Sequence, residues 1–413
     1  MAHASHPILL LDVDGVLVED YGYQAGIVQT VDYFATAMGL PGRTPTMADI
    51  EVFEANGLTS EWESCPLCVG ALFVEVLRAA PDVVLAPQVE AALAQGRSVS
   101  ASGNVRRPDF AALAHRVGPL IAAGERPSRA SFTVLTGEMD MLGLREAPRQ
   151  GMEALLHTLL DHTQNVMASP VAQVFQHFAL GSQKYAHTYG LTPLFETPSL
   201  LRSLDRPALS PASRDMLLEL VRSRRVHAAL YTARSSLPTV EAQADAQGYA
   251  PEAEMARALV GLEVLPLIGY GRLAWLAARH GAQPDAYVKP SPVHALAAMG
   301  AALSGHEAQA VEAAYALAEE GMVLAPFEGL RGQRLEVFVF EDAIGGVRAA
   351  TRAAELLRSA CIAVNLWVVG VLPPGSPKRA ALAPLCALVA QDVNSALMSI
   401  VGMLEGRTAP VER

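Results

Sequence analysis

The chain is poor in cysteine, has no long apolar run and is short of positive charge. Four cysteines (Cys65, Cys68, Cys361 and Cys386) in 413 residues cannot build a disulfide scaffold. No apolar run approaches the ~20 residues that span a bilayer, so no membrane partner is expected. A net charge of −11 argues against nucleic acid or an anionic membrane surface as a main partner. It leaves room for an anionic substrate, because a metal ion inverts the local charge. The acidic motif near the start follows Met1 too quickly for a secretory leader, and neither an internal repeat nor a low-complexity tract is present. From these absences the expected location is cytoplasmic. Apolar residues, by contrast, are abundant at 51%, and a chain of 413 residues is long enough for two or three domains.

Residues 21–207 read as mainly helical, with apolar positions spaced by three and four in 69–80, 110–124, 151–163 and 169–180. Pro- and Gly-containing breaks separate them, as at 80–81 and 103–108. From Ser210 the rhythm changes. Ser210-Pro211 is a helix start, an N-cap serine before a proline at the first helical position. A helix over 212–222 then leads into an apolar strand at 226–231, with further strands at 336–340 and 366–371. Strand–helix alternation implies a parallel sheet with helices on both faces. Its first strand is the distant Ile8-Leu9-Leu10-Leu11. The fold class is therefore α/β: a doubly wound parallel-sheet core over 1–20 and 208–405, with an inserted, mainly α-helical cap over 21–207. A tail covers 406–413.

Four strand ends carry the chemistry. The first strand runs into Asp12 and Asp14, a pair that can divide attack from proton transfer, with Gly15 allowing a sharp turn that presents N–H groups to an anion. Asp and Gly are also the commonest turn formers, so an Asx-type turn is the plainer alternative. Thr232 ends the 226–231 strand, where a hydroxyl either donates to a phosphate oxygen or caps the next helix. Arg234 beside it reads as solvated. Lys289, before Pro290 at a helix start, is held outside the helix as a fixed cation. The strand at 336–340 ends in Glu341 and Asp342, hard oxygen donors of the kind Mg²⁺ takes. Asp342 is the expected direct ligand, with the Asp12 carboxylate and the Asp14 main-chain carbonyl; Glu341 would bind through water or steady those ligands.

In order and spacing these four motifs resemble those of the haloacid-dehalogenase (HAD) superfamily, over about 7–20 and 210–398. The resemblance implies that Asp12 attacks phosphorus to form an aspartyl-phosphate and that Asp14 serves as acid and then base. It also implies that Lys289 neutralises charge, that Gly15 and Thr232 help to hold the phosphate, and that Mg²⁺ is the cofactor. The expected activity is hydrolysis of a small phosphorylated substrate. Residues 56–62 and 175–181 are similar to stretches of phosphoglycolate-phosphatase-like members, and hinges are expected near 18–23 and 197–207. Many relatives carry a further aspartate about four residues after the fourth motif, where this chain has Gly346; the form here resembles the Glu-Asp version. That version also occurs in sugar-phosphate mutases, so a phosphomutase is one alternative and a non-catalytic binding protein on a HAD frame another. The cap is longer than usual around 80–149, and one helix near 307–320 is additional. Cys65 and Cys68 read as packed cap cysteines, since no second ligand pair accompanies them. Oligomeric state is not legible.

Overall fold

The structure, a computed structural model, describes residues 5–240, 242, 248–376 and 378–406. The expected tail therefore lies, apart from Gly406, outside the described residues. The chain divides into two compact units: residues up to 20 together with those from 205 onward, and residues 21–204.

The first unit is an α/β fold. Its strands are β1 (Ser5–Leu11), β2 (Val18–Glu19), β3 (Arg206–Pro207), β4 (His227–Tyr231), β5 (Leu267–Ile268), β6 (Arg334–Glu341), β7 (Ala363–Val371) and β8 (Leu388–Ala390). Six of them form one parallel sheet in the order β5-β4-β1-β6-β7-β8. β2 and β3 pair antiparallel as a short separate ribbon. Side chains alternate across a strand, and β1 shows why its apolar run is unbroken. Ile8 and Leu10 enter a core on one face, with the helices Tyr270–His280, Pro292–Ser304, Glu307–Glu319 and Ile344–Ser359. Leu9 and Leu11 enter a core on the other, with Pro211–Arg222, Glu252–Leu259 and Val393–Leu404. The sheet is thus covered on both sides, as a doubly wound fold requires.

Local rules explain most boundaries. Ser210 accepts from the Ser213 N–H at 3.2 Å, and Pro211 opens the helix. The helix expected near 307–320 is Glu307–Glu319, and it packs its alanine-rich face into the sheet core. It is anchored by Glu307, which accepts from the Leu267 N–H and from the buried Arg272. β5 and β8 are the edge strands, only two and three residues long, and too short to carry a sequence pattern.

The second unit, 21–204, is helical, with its longest helices at Tyr21–Ala37 and Glu61–Ala79. The latter begins well before the expected residue 69. Ser60 caps it by accepting from the Trp62 N–H, and Pro66 is carried inside the helix instead of ending it. Cys65 and Cys68 are free and buried in that helix, and burial pushes both thiols up. Trp62 packs against Phe175, which stacks on Tyr23. None of the described helices is long and apolar enough to cross a membrane.

Candidate active site

Register brings the site together. Leu11 is level with Leu230 on β4 and with Phe340 on β6, so the next residues, Asp12, Tyr231 and Glu341, emerge side by side at the C-terminal edge. Asp12 continues the alternation of Leu10, Glu341 that of Val339, and Tyr231 belongs to the same face. The helix Pro292–Ser304 packs on that face, and the segment before it delivers Lys289. The Lys289 Nζ lies 2.9 Å from Asp12 Oδ1, 2.7 Å from Glu341 Oε1 and 3.9 Å from the Tyr231 ring centroid. The Tyr231 hydroxyl also donates to Glu341 Oε1. Parallel strands that end level at one edge are where α/β folds place their ligands.

Asp12, Glu341 and Asp342 can each offer an oxygen within 4.8 Å of the others. Burial, then Glu341, raises the Asp12 carboxyl well above its usual range despite Lys289. Asp342 is raised by burial too, although Lys378 Nζ sits 2.8 Å from its Oδ2 and opposes the shift. Burial works against the Lys289 charge, but Asp12 and Glu341 outweigh it and hold the ammonium above its ordinary value. The cluster is short of positive charge. Glu341, fully buried, also has an Oε2 without a hydrogen-bond partner among the described residues. An all-oxygen donor set in that condition fits a hard divalent cation.

The remaining expected residues fall around this cluster. Gly15 has φ +70°, and a Cβ there would lie 2.3 Å from Asp342 Oδ2. Its N–H donates to the Val18 carbonyl at 3.0 Å, so Gly15 supplies the turn and the clearance for Asp342. Thr232 is buried, and its Oγ1 accepts from the Arg234 N–H at 3.2 Å. Asp14 pairs with Arg234. The expectation that Arg234 is solvated is corrected: it is 4% exposed, because two carboxylates enclose its guanidinium.

With the geometry in hand, known structures supply a fold match. A crystal structure solved as target ZR25 of the Northeast Structural Genomics Consortium aligns with 97% of this chain and 99% of its own. Its TM-score is 0.57, at 15% identity. Phosphatase Tt82 from Thermococcus thioreducens aligns over the same shares, with a TM-score of 0.43 at 17% identity. The first likeness is one of fold. No model of a known protein family and no curated protein matches the sequence.

Tyr231, Lys378 and His294 escaped the sequence reading. Tyr231 is the last residue of its strand and Lys378 follows β7, so position at the sheet's C-terminal edge was the available signal. His294 is buried inside a helix; its Nδ1 accepts from the Lys289 N–H at 3.2 Å and its Nε2 donates to the Ile268 carbonyl at 3.1 Å. Burial, then the Lys289 charge, pushes it down to about 3. The unfolded chain therefore takes up a proton between about pH 6.5 and 3 that the fold refuses, and stability falls as pH drops through that window. From pH 7 to pH 4 the expected loss from this group is about 3 kcal/mol. His294→Asn keeps an acceptor for Lys289 and removes the titration. Urea unfolding of this variant should lose less stability over that pH range than the parent; equal losses would refute the assignment.

Proposed function

We propose that this protein is a Mg²⁺-dependent phosphomonoester hydrolase of HAD type, acting on a small phosphorylated metabolite through an aspartyl-phosphate on Asp12. The observation that carries the reading is the convergence of Asp12, Glu341 and Asp342 with Lys289 at one sheet edge. Asp14, two residues past Asp12, pairs with a buried arginine. Asp12, Asp342 and the Asp14 main-chain carbonyl would hold the metal, with Glu341 beside them. When bound, Mg²⁺ neutralises charge on the phosphoryl oxygens and on the carboxylates.

The chain's own groups then do the following. An Asp12 carboxylate oxygen forms a bond to phosphorus as the bond to the ester oxygen breaks. That oxygen keeps the electron pair and takes a proton from Asp14. Lys289 holds the nucleophile and offsets charge on the transferred group, and the Thr232 hydroxyl holds a non-bridging oxygen. In the second half Asp14 takes a proton from water, whose oxygen bonds to phosphorus and releases the Asp12 carboxylate. Retention of a proton-transfer carboxylate at Asp14 favours phosphate transfer over displacement of a halide, which leaves without a proton.

Phosphate release from a panel of small phosphomonoesters, with Mg²⁺ and with EDTA, tests the proposal. Release with Mg²⁺ that EDTA abolishes is expected. No release from folded, Mg²⁺-loaded protein would overturn it, in favour of a phosphomutase needing a bisphosphate activator or of a binding protein without catalysis.

A further inference from the structure

Arg234 has more partners than a structural arginine in its place needs. Its main chain is fixed at both groups: the N–H donates to Thr232 Oγ1 at 3.2 Å, and the carbonyl accepts from the Tyr270 N–H at 3.0 Å. Its side chain is 1% exposed and spans two carboxylates. Nη1 donates to Asp205 Oδ2 at 3.1 Å, and the Asp205 side chain is itself only 2% exposed. Nε donates to Asp14 Oδ1 at 2.7 Å, with Nη2 2.5 Å from the same oxygen. Asp205 alone would satisfy the rule that a buried charge is paired. The second arm instead reaches an aspartate whose side chain is 32% exposed, at the edge where the candidate nucleophile sits. The arginine is rigid at its anchored end, and the carboxylate it holds at the other end is open to solvent and to a ligand.

We propose that Arg234 is a positioning residue for Asp14. Anchored by Asp205, it fixes Asp14 through Oδ1. The other oxygen, Oδ2, is left to give a proton to the leaving group and later to take one from water. This rests on the phosphatase reading above. A planar guanidinium suits the task, because it fixes both the place and the orientation of a carboxylate, which an ammonium point charge does not.

The leaving group separates positioning from mere support of the fold. An aryl phosphate such as p-nitrophenyl phosphate departs as a stable phenolate and needs little protonation, whereas an alkyl phosphate needs the proton in the transition state. Arg234→Lys is expected to lower kcat/KM about 100-fold on the best alkyl ester and about threefold or less on p-nitrophenyl phosphate. Asp205→Asn, which loosens the anchor and keeps the guanidinium, should shift the same ratio in the same direction by a smaller factor. In an Asp14→Asn background, Arg234→Lys should add no further loss on the alkyl ester. Urea midpoints establish that each variant is folded, and if Arg234→Lys is not, the Asp205→Asn ratio decides. Equal losses on both esters, or none on either, would overturn the proposal. A wild-type protein that hydrolyses neither ester with Mg²⁺ would instead remove the phosphatase reading, and this assignment with it.

Discussion

Asp12→Asn is expected to remove phosphate release by about 10⁴-fold or more, because the proposed covalent route has no substitute for its nucleophile. The same change should leave the thermal midpoint in metal-free buffer unchanged or higher. Burial and the neighbouring acids raise the Asp12 carboxyl, so its ionisation at neutral pH opposes folding, and an amide of the same shape removes that penalty. Lys289 keeps Glu341 as a partner in the variant. Adding Mg²⁺ should reverse the order: a ligand that binds only the folded state stabilises in proportion to its affinity, and the amide is the poorer donor. Calorimetry with and without Mg²⁺, beside phosphate release, reads both halves. Activity near wild type would sink the nucleophile assignment. A lower midpoint without metal would sink the electrostatic account.

Gly346→Ala is expected to destabilise the protein by about 3 kcal/mol or more and to cut activity sharply. Gly346 lies in the first turn of Ile344–Ser359, and a Cβ there would come 1.7 Å from Glu341 Oε1 and 2.0 Å from its Cδ. The Glu341 carboxylate fills the space that a side chain at 346 would occupy. It cannot step aside easily, being fully buried and tied to Tyr231 and Lys289. The glycine at 346 is thus the counterpart of the glutamate at 341: the strand supplies the carboxylate beside Lys289, and the helix leaves room for it. Glu341→Ala with Gly346→Asp should then recover more activity than either single change, a coupling of about 0.5–3 kcal/mol in a double-mutant cycle. Parent-like stability in Gly346→Ala would refute the steric reading.

Much of the α/β unit was legible because buried parallel strands announce themselves as unbroken apolar runs, and β1, β4, β6 and β7 do so. Edge strands of two or three residues carry no such signal. Pro66 concealed a helix start, since a proline reads as a break unless the capping Ser60 six residues earlier is given more weight. For the site, Asp12, Lys289, Glu341 and Asp342 were legible as charged residues at strand or helix ends. Arg234, Lys378 and Tyr231 were not, because their roles come from partners distant in the chain. Arg234 meets Asp14 across 220 positions, and Tyr231 meets Glu341 across 110. Which buried acid faces which base is fixed by strand order, and one-dimensional spacing does not carry it.

β1 is central in the sheet and yet is made first. Its partners β4 and β6 follow about 200 and about 320 residues later. At ribosomal speeds of roughly 5–20 residues per second, the segment Ile8-Leu9-Leu10-Leu11 spends on the order of 10–40 s outside the ribosome before the first of them exists. The contiguous helical unit needs no such wait and can form while β1 is still unpaired. Biosynthesis therefore leaves an adhesive apolar strand unprotected for longer than most domains take to fold. The yield of soluble protein should depend on chaperone capacity and on the rate of elongation through residues 21–226, more than on the equilibrium stability of the finished sheet.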